Sequence, residues 1–303
     1  MKVTVTGTTG MLGKDLVRAL LARGDSVTVL SRDAGRARSA LGDVRALEWR
    51  DPKGEQPPLE ALERQDGVIH LLGEPVAQRW SAGAKREIRD SRVLSTQHLV
   101  SALARAEPRP RVLVSQSATG WYGARDEEPV DESAPAAGDF LAQVVVEWET
   151  EARRAQELGM RVALTRTGVV LSESGGALEK MLPPFKLGVG GPVAGGRQYV
   201  PWIHSEDVVG ALLFCLDTEQ AVGPLNLTAP DPVTNRELSK ALGRVLGRPA
   251  LAPVPALAVK ALYGEMSSIV TTGARAIPRR LTDLGYAFRW PELEPALRAV
   301  TGR

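Results

Sequence analysis

Alternating runs and helical stripes take turns along the first two-thirds of this chain. "KVTVTG" (2–7) alternates as a short strand. The helix-like "KDLVRALLARG" (14–24) follows, with Leu12, Leu16, Leu20 and Arg23 at helical spacing and Gly24 suited to the C-terminal cap. "SVTVLS" (26–31) is a second strand, "VRALEW" (44–49) a weaker one and "DGVIHLLG" (66–73) a clear third. A long helix is predicted over roughly 81–105, then a strand in "RVLVSQSA" (111–118). "FLAQVVVEWETEARRAQEL" (140–158) is helical, because Phe140, Val144, Trp148 and Ala152 line one face. "RVALTRTGVVL" (161–171) reads as one more strand. Repeated strand–helix–strand units predict a doubly wound parallel α/β sheet with helices on both faces.

The pattern changes after that. "PPFKLGVGGPVAGGRQYVPW" (183–202) reads as a loop-heavy stretch. "SEDVVGALLFCLDT" (205–218) reads as a helix with Ser205 as N-cap, and "GPLNLTA" (223–229) as a strand. Short helices and Pro-rich turns fill the rest. The expected division is a larger domain over 1–171 plus about 203–227, and a smaller C-terminal lobe from 172–202 and 228–303.

Composition narrows the function more than the fold. With 38 basic and 36 acidic residues the net charge is +2, too balanced for nucleic acid to be a main partner. No apolar run approaches the roughly 18 residues of a membrane span, and a strand starting at Lys2 leaves no room for a signal peptide, so a cytoplasmic protein is expected. The single cysteine, Cys215, sits in an apolar run and reads as a buried structural thiol. His70, His98 and His204 are scattered, so no metal site is expected. Oligomeric state is not legible.

"TGTTGMLG" (6–13) carries the first chemistry. Gly7 permits the tight turn out of the strand, Gly10 lets a pyrophosphate approach the backbone, and Gly13 lets the helix pack on the sheet. Thr9, Met11 and Leu12 lie between them, where free N–H groups and the helix dipole attract phosphate. A Rossmann-type dinucleotide site follows. At the end of the second strand stand Ser31 and Arg32, where NAD-binding proteins place a carboxylate for the ribose. A hydroxyl and a guanidinium suit a 2′-phosphate, so NADP(H) is the expected cofactor. Asp33 reads as the N-cap of the next helix. Leu71, Leu72 and Gly73, ending the third clear strand, are expected beside the adenine and ribose.

Longer stretches extend the match. "HLLGEPVAQRWSAGAKREIRDSRVLSTQHLV" (70–100), "SATGWYG" (117–123), "RTGVVLSESGGALEKMLPPFKLGVGGPVAGGRQYVPWIHSEDV" (166–208) and "GARAIPRRLTDLGYAFRWPELEPAL" (273–297) resemble one atypical branch of the extended short-chain dehydrogenase/reductases. That branch is often called "epimerase family protein" or sugar-nucleotide epimerase. The resemblance implies an NADP-binding Rossmann domain and a smaller C-terminal substrate lobe. It also implies departures from typical members. Those carry Tyr, three spacers and Lys as the acid/base pair; here that neighbourhood holds Asp139, Phe140 and Gln143. Typical members place Asn near Arg92, and the nucleotide-sugar enzymes place a diphosphate-holding Arg about where Val200 stands.

Candidate roles follow residue by residue. Arg92, on an inward stripe with Ile88, Ser91, Ser95 and Leu99, either holds a cofactor phosphate or substrate anion or snorkels to solvent. Glu87 either orients Arg92 or accepts a ribose hydroxyl, or it is a solvated helix face. Ser115 and Arg166 are expected on the cofactor side, with a salt bridge at the sheet rim as the other reading of Arg166. Ser117 matches the hydroxyl that polarises a substrate carbonyl in the wider family. Tyr122 is a second catalytic candidate if a cation such as Arg92 lowers its pKa; otherwise it is a packed aromatic with its hydroxyl at the surface. Met181, Trp202 and His204 are expected at the substrate pocket. A structural role is the other reading of His204; Met181, Phe185 and Trp202 are expected to make the lobe interface apolar, which suits a small hydrophobic carbonyl compound. The functional expectation is an NADP(H)-dependent oxidoreductase or epimerase on a small-molecule substrate. The alternative is a non-catalytic NADP(H)-binding sensor.

Overall fold

A computed structural model of the protein describes residues 1–125, 127–172 and 175–303. Seven strands form one parallel sheet: β1 (Lys2–Thr6), β2 (Ser26–Ser31), β3 (Arg45–Glu48), β4 (Gly67–His70), β5 (Val112–Ala118), β6 (Arg161–Thr167) and β7 (Gly223–Leu227). Their spatial order is β3-β2-β1-β4-β5-β6-β7, so the chain reverses direction of travel between β1 and β4. Such a reversal opens a crevice at the C-terminal strand ends, where this architecture binds ligands. The doubly wound Rossmann-type fold is present.

Helices α1 (Met11–Ala22), α3 (Ala82–Leu103) and α4 (Phe140–Arg153) fall where the periodicity puts them, and α2 (Ala34–Leu41) starts at its Asp33 cap. One face of the sheet is sealed by a cluster including Val3, Val5, Leu16, Leu20, Leu212 and Leu216. The other is sealed by Leu62, Val68, Leu99, Leu103, Leu113 and Val162. A third cluster joins Leu171, Leu178, Phe185 and Trp202 to Leu238, Leu242, Leu297 and Val300. It is the core of the C-terminal lobe. Among the described residues no helix is long and apolar enough to cross a membrane.

Three local expectations are corrected. The stretch 161–171 is two strands, because it bends at Gly168 and residues 169–171 leave the sheet to pair with 202–204. A Cβ at Gly168 would collide with the Pro201 carbonyl. "PPFK" belongs to helix α5 (Gly176–Lys186) despite Pro183 and Pro184. Both prolines keep their carbonyls as acceptors, for Leu187 and Val189, while Leu178 and Phe185 bury in the lobe core, so packing overrides propensity. Helix α6 (Ser205–Asp217) is capped by His204, whose Nδ1 accepts from the Glu206 amide at 3.1 Å, and Ser205 is its first helical residue.

β4 ends in a fully buried imidazole. His70 Nδ1 lies 2.8 Å from the Thr6 hydroxyl and Nε2 3.1 Å from the Thr96 hydroxyl. Burial pushes its pKa down to about 3, against 6.5 in the unfolded chain. The folded state therefore holds His70 neutral, and the stability this confers is complete above pH 6.5 and drains away as pH falls toward 3. Between pH 6.5 and pH 5 the loss is about 2 kcal/mol. Urea midpoints measured across that range should fall with acidity in the natural protein and fall less steeply in His70→Gln; parallel slopes would remove His70 as the cause.

Candidate functional site

β1 leaves the sheet at Gly7, whose φ of +70° is the left-handed conformation that glycine tolerates. A Cβ there would stand 2.7 Å from the Leu71 carbonyl oxygen, and one at Gly13 would run into the Gly7 oxygen and Thr8 Cα. The turn, the first turn of α1 and the exit of β4 thus touch backbone to backbone. Gly10 caps α1 with extended geometry and no side-chain cap, which leaves the first-turn amides of Met11, Leu12 and Gly13 without a side-chain acceptor. Thr9 and Gly10 are exposed. The Thr8 hydroxyl is buried and has no hydrogen-bond partner among the described residues. Together these form a backbone cradle at the end of β1.

Ser31 is half-buried at the end of β2, its hydroxyl accepting from the Asp33 amide at 3.3 Å. Asp33 caps α2 through the Arg36 amide at 2.8 Å, so its carboxylate is engaged in the helix start. Arg32 is exposed and makes no ion pair among the described residues. Beyond β4, Leu71 is buried, Leu72 half-buried and Gly73 exposed. The Arg92 guanidinium packs on Gly73, where a Cβ would be 3.0 Å from Cζ, and lies over the Trp148 ring at 5.3 Å. It donates to the Ile88 carbonyl at 2.9 Å. Burial lowers its pKa to about 10. Arg92 therefore does not snorkel outward. Glu87 does not orient it: that carboxylate is exposed and paired with Lys53 at 2.7 Å.

Ser117, Tyr122 and Arg166 come together, in a buried network rather than an open pocket. Ser117 donates to Glu149 Oε1 at 2.6 Å. Arg166 grips the same carboxylate with Nε at 2.8 Å and Nη2 at 3.0 Å, and Arg153 adds a further bond at 2.6 Å. Arg166 Nη1 donates to the Tyr122 hydroxyl at 3.2 Å, and Tyr122 donates to Asn226 Oδ1 at 2.7 Å. Ser117, Tyr122, Glu149 and Arg166 are each at most 1% exposed. The cation beside Tyr122 is thus Arg166 and not Arg92, and the hydroxyl is not at the surface. Burial pushes the phenol up to about 12, with Arg166 only partly offsetting it. Burial also opposes the Arg166 charge, yet the Glu149 bonds and charge raise its pKa on balance. The salt-bridge reading of Arg166 holds, but inside the molecule rather than at the rim. Ser115 is buried one pleat below Ser117, its carbonyl accepting from Thr165 at 3.2 Å.

The residues expected at the substrate pocket separate. Trp202 is fully buried in the lobe core, its indole N–H on the Asp231 carbonyl at 3.1 Å, and Phe185 is buried beside it. Met181 is half-buried at the edge of that core. These side chains hold the lobe together, so they make no apolar lobe interface. His204 is buried, spends Nδ1 on the helix start and stacks on Trp290 at 5.0 Å; burial lowers its pKa. Asp207, in the first turn of α6, accepts the Arg289 and Trp290 amides at 2.7 and 2.9 Å, clamping the C-terminal segment to the helix. Glu149, Asn226 and Glu132 join the buried network through partners distant in the sequence. Glu149 carries a signal in hindsight: a carboxylate four residues after buried Val145, on an otherwise apolar face.

Residues 3–227 match the model of the NAD dependent epimerase/dehydratase family, and residues 254–300 match a domain of unknown function, DUF1731. Epimerase family protein Mb2239 of Mycobacterium bovis is 41% identical over 99% of this chain and 98% of its own length. The chloroplastic homolog of epimerase family protein SDR39U1 from Arabidopsis thaliana is 39% identical, over 99% of this chain and 86% of its own. Among solved structures, human epimerase family protein SDR39U1 (isoform 2), determined with NADPH, aligns over the whole of both chains with a TM-score of 0.89 at 33% identity. With its cradle, switch point and C-terminal lobe, the chain belongs to the NAD dependent epimerase/dehydratase family, in the epimerase family protein branch that carries DUF1731.

Proposed function

We propose that this protein binds NADP(H) and acts as an oxidoreductase or epimerase on a small carbonyl or hydroxyl substrate. The cradle carries this reading: backbone contact among Gly7, Gly13 and Leu71, an uncapped α1, and an unpaired Arg32 at the end of β2. The human relative determined with NADPH supports the choice of cofactor. Gly7, Thr9, Gly10, Met11, Leu12 and Gly13 would hold the pyrophosphate, and Ser31 with Arg32 the 2′-phosphate. Leu71, Leu72 and Gly73 border the ribose side, where Arg92 offers unused donors to a phosphate oxygen. A nicotinamide cofactor supplies a hydride donor or acceptor when bound. In the neighbourhood that bears the phenol and ammonium in typical members, Asp139 and Gln143 are exposed here. Asp139 caps α4 through the Ala142 amide, and Gln143 donates to the Gly138 carbonyl. The proton for a substrate oxygen at that end of the crevice then comes from water. Ser117 and Tyr122, bound to Glu149 and Asn226, act as scaffold.

Their burial also favours a second reading, a non-catalytic NADP(H)-binding sensor. Steady NADPH consumption with any carbonyl substrate would eliminate it.

Fluorescence titration should give tighter binding of NADPH than of NADH, with Arg32→Ala losing about 10- to 100-fold for NADPH alone. Equal affinities in the natural protein would overturn the NADP(H) assignment. For the buried network, Glu149→Gln should cost about 3 kcal/mol in urea unfolding, because it leaves Arg166 buried and half-paired. Tyr122→Phe should cost about 1 kcal/mol and leave NADPH affinity unchanged. A Tyr122→Phe variant with full stability and impaired turnover would return Tyr122 to the reacting centre.

A further inference from the structure

Helix α8 (Ala256–Tyr263), at the start of the domain of unknown function, reads ALAVKALY, and of its side chains only Val259 is buried. A helix that is apolar all round normally has a cover on every side. Here Leu257 is 78% and Leu262 64% exposed, so most of each side chain stands in water. The stretch leading into the helix is as bare: from 251 to 263 only Val254 and Val259 are not exposed. Residues 187–194 lie alongside. Val254 donates to the Pro192 carbonyl and accepts from the Ala194 amide, both at 2.9 Å, and a Cβ at Gly188 would touch Pro249 at 3.7 Å. Six of the nine large apolar side chains exposed among the described residues fall in these two segments, so they form a patch and not the usual scatter.

The lobe beneath the patch is fixed. Residues 275–276 pair in parallel with 129–130, and Asn226 Nδ2 donates to the Ile277 carbonyl at 2.9 Å. Glu132, buried, accepts the Asn226 amide at 2.9 Å and the Arg280 amide at 3.3 Å. These staples hold the C-terminal segment on the sheet. At the end of α8, Arg79 donates to the Leu262 carbonyl at 3.3 Å and Lys85 pairs with Glu265 at 2.6 Å. The apolar helix is therefore tied down with its leucines outward.

Charge says what covers it. Segments 186–194 and 240–263 carry five cations, Lys186, Lys240, Arg244, Arg248 and Lys260, and no carboxylate, in a chain with 38 basic and 36 acidic residues. Lys240, Arg244 and Arg248 line one open depression with Leu251. Arg244 shares Glu294 with Arg298, at 3.1 Å each; the other four cations are exposed and make no ion pair among the described residues. A second copy of the chain related by a two-fold axis would set this basic patch against itself. An anionic surface with an apolar interior meets both the leucines and the cations. We infer that α8 and the loops beside it are a membrane-docking face. Leu187, Leu251, Leu257 and Leu262 enter the boundary of headgroups and acyl chains in an anionic bilayer, and the cations around them hold lipid phosphates. The protein lies on the bilayer and does not cross it. The face works whether or not NADP(H) fills the cradle.

Flotation of the full-length protein with vesicles of phosphatidylserine and phosphatidylcholine in equal parts, and with phosphatidylcholine alone, tests this. The protein should float with the anionic vesicles and bind the neutral ones about tenfold more weakly or less. Each surface cation contributes about fivefold, so Arg248→Gln with Lys260→Gln should lose about 25-fold. Leu257→Ser with Leu262→Ser should lose about tenfold or more. All four side chains are exposed, so the urea midpoints of both variants should match that of the natural protein. Acetylation of the natural protein, mapped by mass spectrometry, needs no variant: anionic vesicles should protect Lys260. Absence of binding to anionic vesicles, equal binding to both compositions, undiminished binding in either double variant, or an unprotected Lys260 would each overturn the assignment. Sedimentation equilibrium without lipid should find no dimer through this face; a dimer that the double leucine variant dissociates would give the patch to a second copy instead.

Discussion

Two opposite charges, Arg166 and Glu149, are sealed beneath the C-terminal ends of β5 and β6, and the upper part of the molecule is arranged to satisfy them. A buried ion pair adds little net stability unless its remaining donors and acceptors are also met. Here Ser117 and Arg153 complete the carboxylate, and Tyr122 and the Glu132 carbonyl complete the guanidinium. Trp121 covers the cation from above, its ring 3.8 Å from Cζ. Through Tyr122 and Asn226 the same network reaches the C-terminal segment. Ser117 and Tyr122, the two hydroxyls that the sequence offers as catalytic candidates, are here joints between the sheet and the second lobe.

The sheet thus has two working halves. At β1, β2 and β4 the backbone itself is the instrument, since Gly7, Gly13 and Leu71 leave no room for side chains and the helix end offers bare amides. At β5, β6 and β7 side chains do the work, through buried charge and hydrogen bonds that fix loops and the C-terminal segment. Arg92, stacked on Trp148 between α3 and α4, stands near the boundary of the two.

Features that depend on chain-local spacing were legible in the sequence. The strand–glycine–helix order located the cradle, and Asp33 was recognisable as a cap because it stands three residues before Arg36, whose amide it accepts. Features that depend on long-range partners were not. Nothing near Trp202 or Phe185 distinguishes a pocket wall from a lobe core, because either needs a large apolar side chain. Tyr122 takes its cation, Arg166, from β6, beyond the reach of local spacing. Helical spacing sets Glu87 near Arg92, but Lys53, 34 residues earlier, claims it. Pro183 and Pro184 spoke for a loop, and only the burial of Leu178 and Phe185 says otherwise.

The staples at Glu132 and Asn226 also bear on how the chain is made. During synthesis Glu149 and Arg166 emerge long before Ile277 and Arg280, so the Rossmann half must wait with its uppermost surface unfinished. That surface sets a carboxylate, an amide and a phenol among apolar side chains such as Trp121 and Val130. Until the last lobe arrives, water can occupy the sites that Ile277 and Arg280 later take. A partly wetted edge of this kind reduces the apolar surface that a nascent chain offers its neighbours at the stage when large domains are most prone to aggregate.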